Sequence, residues 1–293
     1  MRYFVASGED RRLDPATRKQ LRGSFIELPS GITHYELSGP AQGRVVVLVG
    51  GLTIPLFYWD EVLPALHARG LRTLTYSLYG RGYSDRVAGA YDEAFFVRQL
   101  TELTDALDLG EGRHLVGTSM GALIAMAFLN RHPESMSTLS LIGPAGLGPR
   151  SPLQQALFRS NVLTTLVAKH FGQRILARHL GHNVSDPRRA GDLAEMVRPC
   201  YRYRGSMYSL FAALRNFELH DRVELYERTG RLDVPKLLMW GTDDRVTPIS
   251  SLDDVRRMLR PAECRVFQDC GHMAPYERPA EVGDQLAEFL TSA

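Results

Sequence analysis

Residues 114–130 read His-Leu-Val-Gly-Thr-Ser-Met-Gly-Ala-Leu-Ile-Ala-Met-Ala-Phe-Leu-Asn. The short run His114–Gly117 suits a strand that ends at a glycine, and the almost wholly apolar Met120–Asn130 suits a helix buried on every side. Between them lies Gly117-Thr118-Ser119-Met120-Gly121, a G-x-S-x-G pattern in a strand–turn–helix setting. Gly117 and Gly121 leave room where a sharp turn crowds neighbouring backbone. Ser119 then projects from the strand end, and the Met120 N–H, in the first helical turn, faces any negative charge that develops there. The plainer alternative is a tight turn with a helix-capping serine.

Outward from this stretch the pattern alternates. Ser24–Leu28 and Ile32–Leu37, joined by Pro29-Ser30-Gly31, read as a hairpin. Arg44–Val49 is a β-branched run expected of a strand buried on both faces. Leu71–Leu78, Met136–Ile142, Lys236–Trp240 and Cys264–Phe267 are further strands. Helices are expected over Phe57–Ala68, where Pro64 disturbs the interior, over Glu93–Leu107 and over Ala280–Leu290. Strands alternating with helices predict an α/β fold with a mostly parallel sheet and an antiparallel N-terminal hairpin. Residues 1–23 read as a mobile lead-in or a short surface helix. Residues 24–146 and 232–293 read as the core.

Residues 147–231 break the alternation with helical patterns alone, such as Leu153–His170 and Ser206–Leu219. This stretch holds fourteen basic and seven acidic residues, a net +7, whereas the whole chain carries only +2. It reads as a helical cap inserted over the sheet. Its charge suits a solvated arginine-rich surface, or a face that attracts anionic substrates or a membrane surface.

With 293 residues and 44% hydrophobic content, the chain can bury a core without staples. A near-neutral total gives no reason to expect a nucleic-acid partner. Cys200, Cys264 and Cys270 lack disulfide-framework or zinc spacing and read as small buried hydrophobes. No apolar run approaches the roughly 18–20 residues of a membrane span, and residues 1–22 lack a signal-peptide core. The expected location is cytoplasmic.

A serine nucleophile needs a base, and the base needs an orienting carboxylate. Among nine histidines, His272 lies in Asp269-Cys270-Gly271-His272-Met273, just after the last expected strand. His179 and His182 have a possible metal-ligand spacing but no carboxylate or cysteine cluster beside them. The polar turn after Trp240 offers Asp243 and Asp244. The order Ser, Asp, His agrees with the order found in one large fold.

Five segments together carry a resemblance: Val47–Leu52, Tyr76–Arg86, Gly117–Gly121, Trp240–Pro248 and Cys270–Pro279. On these the chain resembles the α/β-hydrolase superfamily, in its serine esterase, lipase and carbon–carbon hydrolase branch with a helical cap. The resemblance implies Ser119 as nucleophile, His272 as general base and acid, and Asp244 rather than Asp243 as the orienting acid. It also implies Leu52 as the second oxyanion N–H beside Met120, with no metal or organic cofactor. Phe158, Leu166, Tyr201, Tyr203, Tyr208 and Phe211 are candidate substrate contacts in the cap. The expected substrate is a small apolar ester or related carbonyl compound. Carbon–carbon hydrolysis or acyl transfer would use the same triad, and a non-hydrolytic cyclase or ligand-binding protein would use only the scaffold. Two departures stand out: Gly50-Gly51 replaces the usual His-Gly, and Ser77 replaces the usual Asp.

Overall fold

Apolar β-branched segments can bury both faces only inside a sheet covered on both sides. In the computed structural model, which describes residues 1–148 and 151–292, Val45–Val49 takes that position with all five residues buried. The strands are β1 (Ser24–Leu28), β2 (Gly31–Ser38), β3 (Val45–Val49), β4 (Arg72–Tyr76), β5 (Arg113–Thr118), β6 (Met136–Ile142), β7 (Lys236–Gly241) and β8 (Glu263–Phe267). They form one sheet in the order β1-β2-β4-β3-β5-β6-β7-β8. The β1–β2 and β2–β4 pairings are antiparallel and the rest parallel.

The chain runs outward from β3 to β4, then returns to place β5 on the other side of β3. The carboxyl ends of β3 and β5, Val49 opposite Gly117, therefore flank the point where strand order reverses. Crevices at such points are where open α/β sheets hold ligands.

Proline shapes one helix differently from expectation. Phe57–Ala68 resolves into a 3₁₀ turn, Leu56–Trp59, and a separate helix, Leu63–Ala68, with Pro64 in its first turn, where its missing N–H costs nothing. In the insertion, Leu153–His170 is likewise two helices, Pro152–Arg159 and Asn161–His182. The break falls at Ser160, whose hydroxyl accepts the Leu163 N–H at 3.2 Å.

The helical insertion continues with Pro187–Val197 and Ser206–Asn216. Its last expected part rejoins the core. The helix Val223–Gly230 packs on Met120–Arg131, Tyr226 donates to the Ala145 carbonyl at 2.5 Å, and Asn130 donates to Thr229 at 2.7 Å. Among the described residues no helix is long and apolar enough to cross a membrane.

The N-terminal segment is docked rather than free. Phe4 and Ala6 are buried, and Phe4 meets Tyr208 edge-on at 5.8 Å. The buried Glu9 carboxylate accepts N–H groups from Ala6, Gly205 and Met207 at 2.5–2.9 Å, which satisfies the first turn of the helix Ser206–Asn216. Composition alone concealed this, because a charged residue with three backbone partners looks like any surface glutamate.

Three histidines give the fold a pH dependence. Burial pushes His34, His114 and His179 each down to about 4. Folded, they stay neutral; unfolded, each takes a proton below its ordinary value of about 6.5. Their contribution is complete above pH 6.5 and is lost as pH falls through about 4. Each adds up to about 1.4 kcal/mol per pH unit to the slope of unfolding free energy. Urea titrations at steps from pH 7 to 4 should show this slope, and His114→Gln should remove one proton's share. An unchanged slope in that variant would contradict the assignment.

Candidate active site

Thr118 ends β5, and Ser119 follows with φ +53° and ψ −120°. A positive φ at a non-glycine residue is strained, typically by about 1–3 kcal/mol, and persists only where packing imposes it. Here the packing is explicit. A Cβ on Gly121 would lie 2.3 Å from the Val49 carbonyl, and one on Gly117 would lie 2.6 Å from the Gly121 carbonyl. The helix Met120–Arg131 therefore approaches the end of β3 most closely at a glycine. The Ser119 N–H is spent on the Ile142 carbonyl at 3.1 Å. Among the described residues the Met120 and Leu52 N–H groups have no protein acceptor. Gly51 lies over the serine: a Cβ there would stand 3.3 Å from Ser119 Cβ.

Asp244 and His272 arrive from the loops after β7 and β8. The Asp244 Oδ1 accepts the N–H groups of Val246 and Thr247 at 2.8 and 2.7 Å. Its Oδ2 accepts the Thr247 hydroxyl and His272 Nδ1, each at 2.7 Å. Both side chains are buried. A carboxylate only accepts, so His272 carries its proton on Nδ1 and leaves Nε2 as a lone pair. Asp243 is exposed and takes one weak bond from Thr242 at 3.2 Å. The two aspartates that the turn left open are thus told apart by burial. Gly143, with φ +47°, underlies the pair, since a Cβ there would reach Asp244 Oδ2 at 3.1 Å.

Ser119, His272, Leu52 and Met120 all line one cavity of about 640 Å³ between sheet and cap. Among the described residues no hydrogen bond joins Ser119 to His272. Catalytic hydrogen bonds often tighten only with substrate present. Beside His272, His179 accepts from Asn183 at 3.1 Å, and the Asn183 carbonyl accepts the His272 N–H at 3.0 Å.

Of the six cap residues expected to meet substrate, Phe158 lines the cavity. The other five lie elsewhere. Leu166 is half exposed on the outer cap. Tyr203 packs on Tyr83 and Arg86. Tyr208 shares hydrogen bonds with Gly89. Phe211 is buried against Gly172. Tyr201 bonds the Thr53 carbonyl at 3.3 Å. Aromatic content marks a helix face as buried but not which neighbour buries it. Ile175, Leu210 and Leu214 line the cavity instead, with Arg159, Arg215 and Arg245 among its polar groups.

The missing carboxylate at Ser77 has a neutral substitute. Ser77 Oγ accepts the Leu56 N–H at 3.1 Å and meets His34 Nδ1 at 3.1 Å. His34 Nε2 must donate to the Arg22 carbonyl at 2.9 Å, so Nδ1 accepts the serine proton. Two neutral groups thus anchor the loop where a buried carboxylate is usual.

Six parallel strands with a strained serine at the switch point, and an Asp–His pair from the loops after the last two, form the architecture of an α/β hydrolase. The family model described as the alpha/beta hydrolase fold matches residues 44–279, and the chain belongs to that family. It is 28% identical over 274 residues to a monoacylglycerol lipase of Xenopus laevis, covering 86% of this chain and 77% of the lipase. A second Xenopus lipase of that kind is 27% identical, with 60% of its length covered. A 2-hydroxymuconate semialdehyde hydrolase of Pseudomonas sp. (strain CF600) is 28% identical, covering 80% of this chain and 81% of the relative. A thermophilic esterase from Thermogutta terrifontis superposes with a TM-score of 0.77 at 22% identity, covering 93% of this chain and 99% of that one.

The crowding at the turn is directly testable. Gly121→Ala should lower unfolding free energy by about 1–3 kcal/mol or more in urea titration, because its Cβ meets backbone that cannot swing aside. A variant as stable as the native protein would show that the helix can retreat from β3.

Proposed function

We propose that this hydrolase cleaves carboxylic esters through an acyl-enzyme on Ser119. The observation that carries the reading is the 2.7 Å Asp244–His272 bond, which fixes the imidazole tautomer beside a strained serine in the same cavity. His272 Nε2 takes the Ser119 proton as the oxygen adds to the ester carbonyl. The carbonyl electron pair moves onto oxygen, and the Leu52 and Met120 N–H groups receive it. Collapse expels the alcohol, which takes the proton from His272. Water, deprotonated by His272, then attacks the acyl group, and the second tetrahedral intermediate releases the acid and restores the serine. Asp244 stabilises the transient imidazolium.

The apolar side of the cavity, with Phe158, Leu210 and Leu214, favours an ester with a medium acyl or alkyl chain. The lipase and esterase relatives support the same bond type. The guanidinium groups of Arg159, Arg215 and Arg245 along the wall favour a second reading, in which the substrate also bears an acid group and a carbon–carbon bond is cut with the same triad.

A fluorophosphonate probe followed by peptide mapping should label Ser119 rapidly, and His272→Ala should abolish labelling. Asp244→Asn should lower kcat on p-nitrophenyl esters by about 10³–10⁴-fold, while Asp243→Asn should leave it within a few-fold. Absence of labelling on folded protein would overturn the reading in favour of a binding role. Labelling without turnover of any p-nitrophenyl chain length would favour the carbon–carbon alternative.

A further inference from the structure

A buried charge is costly unless something balances it. Arg81 has no accessible surface. Its Nε donates to the Leu52 carbonyl at 2.7 Å, and its Nη1 donates to the carbonyls of Tyr79 at 3.1 Å and of Ser209, on the cap helix, at 3.4 Å. The guanidinium stands 5.7 Å over the Phe96 ring. Its Nη2 is buried without a partner, and no carboxylate pairs with it among the described residues. Carbonyl dipoles and one aromatic face hold this cation. The next carbonyl along the loop, that of Thr53, accepts the hydroxyl of the buried cap residue Tyr201 at 3.3 Å.

Two donors thus grip consecutive carbonyls of the loop that presents the Leu52 N–H. This loop follows Gly50-Gly51, where the family's supporting imidazole is replaced by glycine. A backbone N–H can serve an oxyanion only if its direction is fixed before reaction, and the direction of one peptide follows from how its neighbours are held. Arg81 also brings a whole positive charge to within one residue of that N–H, in a water-poor layer where such a charge is weakly screened.

We propose that Arg81 is a positioning residue for the oxyanion site, aided by Tyr201 of the cap, and that its unbalanced buried charge is compensated when the tetrahedral oxyanion forms. This rests on the ester-hydrolase reading, because it assigns the Leu52 N–H to that oxyanion. It gives the cap a part in catalysis distinct from lining the substrate cavity: Tyr201 grips the loop itself, and the Ser209 carbonyl holds the guanidinium that does so. A charge kept for the transition state has an unusual signature. Its removal lowers turnover while relieving the folded state of a desolvation cost.

The test uses the full chain, p-nitrophenyl butyrate and an alkyl trifluoromethyl ketone. Ser119 adds to the ketone carbon, its proton passes to His272, and the ketone oxygen becomes an oxyanion that mimics the reaction's own. Arg81→Met should lower kcat about 10–100-fold with KM within a factor of three, and should weaken the ketone inhibitor by the same factor. Its thermal midpoint should match or exceed the native value. Arg81→Lys, which keeps the charge and loses the fork, should fall between, and Tyr201→Phe should lose a smaller factor in kcat. Native-like kcat in Arg81→Met overturns the proposal. So does a loss of kcat accompanied by a lower midpoint and unchanged inhibitor affinity, which marks a purely structural arginine. If Arg81→Met does not fold, Arg81→Lys and Tyr201→Phe decide by the same parallel between kcat and inhibitor affinity. Failure of the native protein itself to turn over the ester or bind the ketone overturns the ester reading and this proposal together, and is seen before any variant is made.

Discussion

The close approach of the helix Met120–Arg131 to the end of β3 is the constraint on which the rest depends. Gly121 lies so near the Val49 and Gly50 carbonyls that no side chain fits. At the same turn Ser119 takes a positive φ, and the residue lines the cavity between sheet and cap. The turn also leaves the Met120 N–H uncommitted at a helix N-terminus, where backbone dipoles favour negative charge. The strained serine and the uncommitted N–H lie at one packing contact. The cost, of the order of a few kcal/mol, is affordable because the helix is apolar on all sides and its burial is large.

The electrostatics around the serine divide into two layers. On one side Asp244 is saturated by two backbone N–H groups, a threonine hydroxyl and His272, so its charge is spent on a single imidazole orientation. On the other side Arg81 and Arg86 lie buried with no carboxylate in direct ion-pair contact among the described residues, held by backbone carbonyls, with the Ser206 hydroxyl and the charge of Glu9 as further partners of Arg86. On the proposed mechanism, negative charge lies where a cation forms during reaction, and positive charge lies near where an anion forms. The cap contributes to the second layer through Cys200, Tyr201 and Ser209, so cap and core share one electrostatic design.

Departures from the family pattern are resolved locally. Ser77 replaces a charged anchor with a neutral relay through His34, which burial holds unprotonated. Gly50 leaves the loop after β3 without an imidazole, and the guanidinium of Arg81 reaches the same loop from another strand end. Either change alone would look like decay in the sequence. With the neighbours in place, each lost interaction has a substitute of different chemistry.

The sequence by itself determined the strands, the mostly parallel sheet and the run of helices between β6 and β7, and it placed Ser119, an aspartate turn and His272 at strand ends. Those features rest on periodicity, on glycines at a sharp turn and on short motifs whose meaning is local. It left Asp243 and Asp244 equivalent at the turn, read Pro64 as a flaw in a helix that it begins, and read the N-terminal segment as a mobile lead-in or a short surface helix, of which the structure keeps the helix Pro15–Arg18 and docks the residues before it. Tertiary structure alone decided that Glu9 satisfies a helix two hundred residues away, that five of six candidate cap aromatics and aliphatics face away from the cavity, and that Arg81 is buried. Burial and partner identity depend on which elements meet, and no local pattern encodes that when the meeting residues lie far apart in the chain.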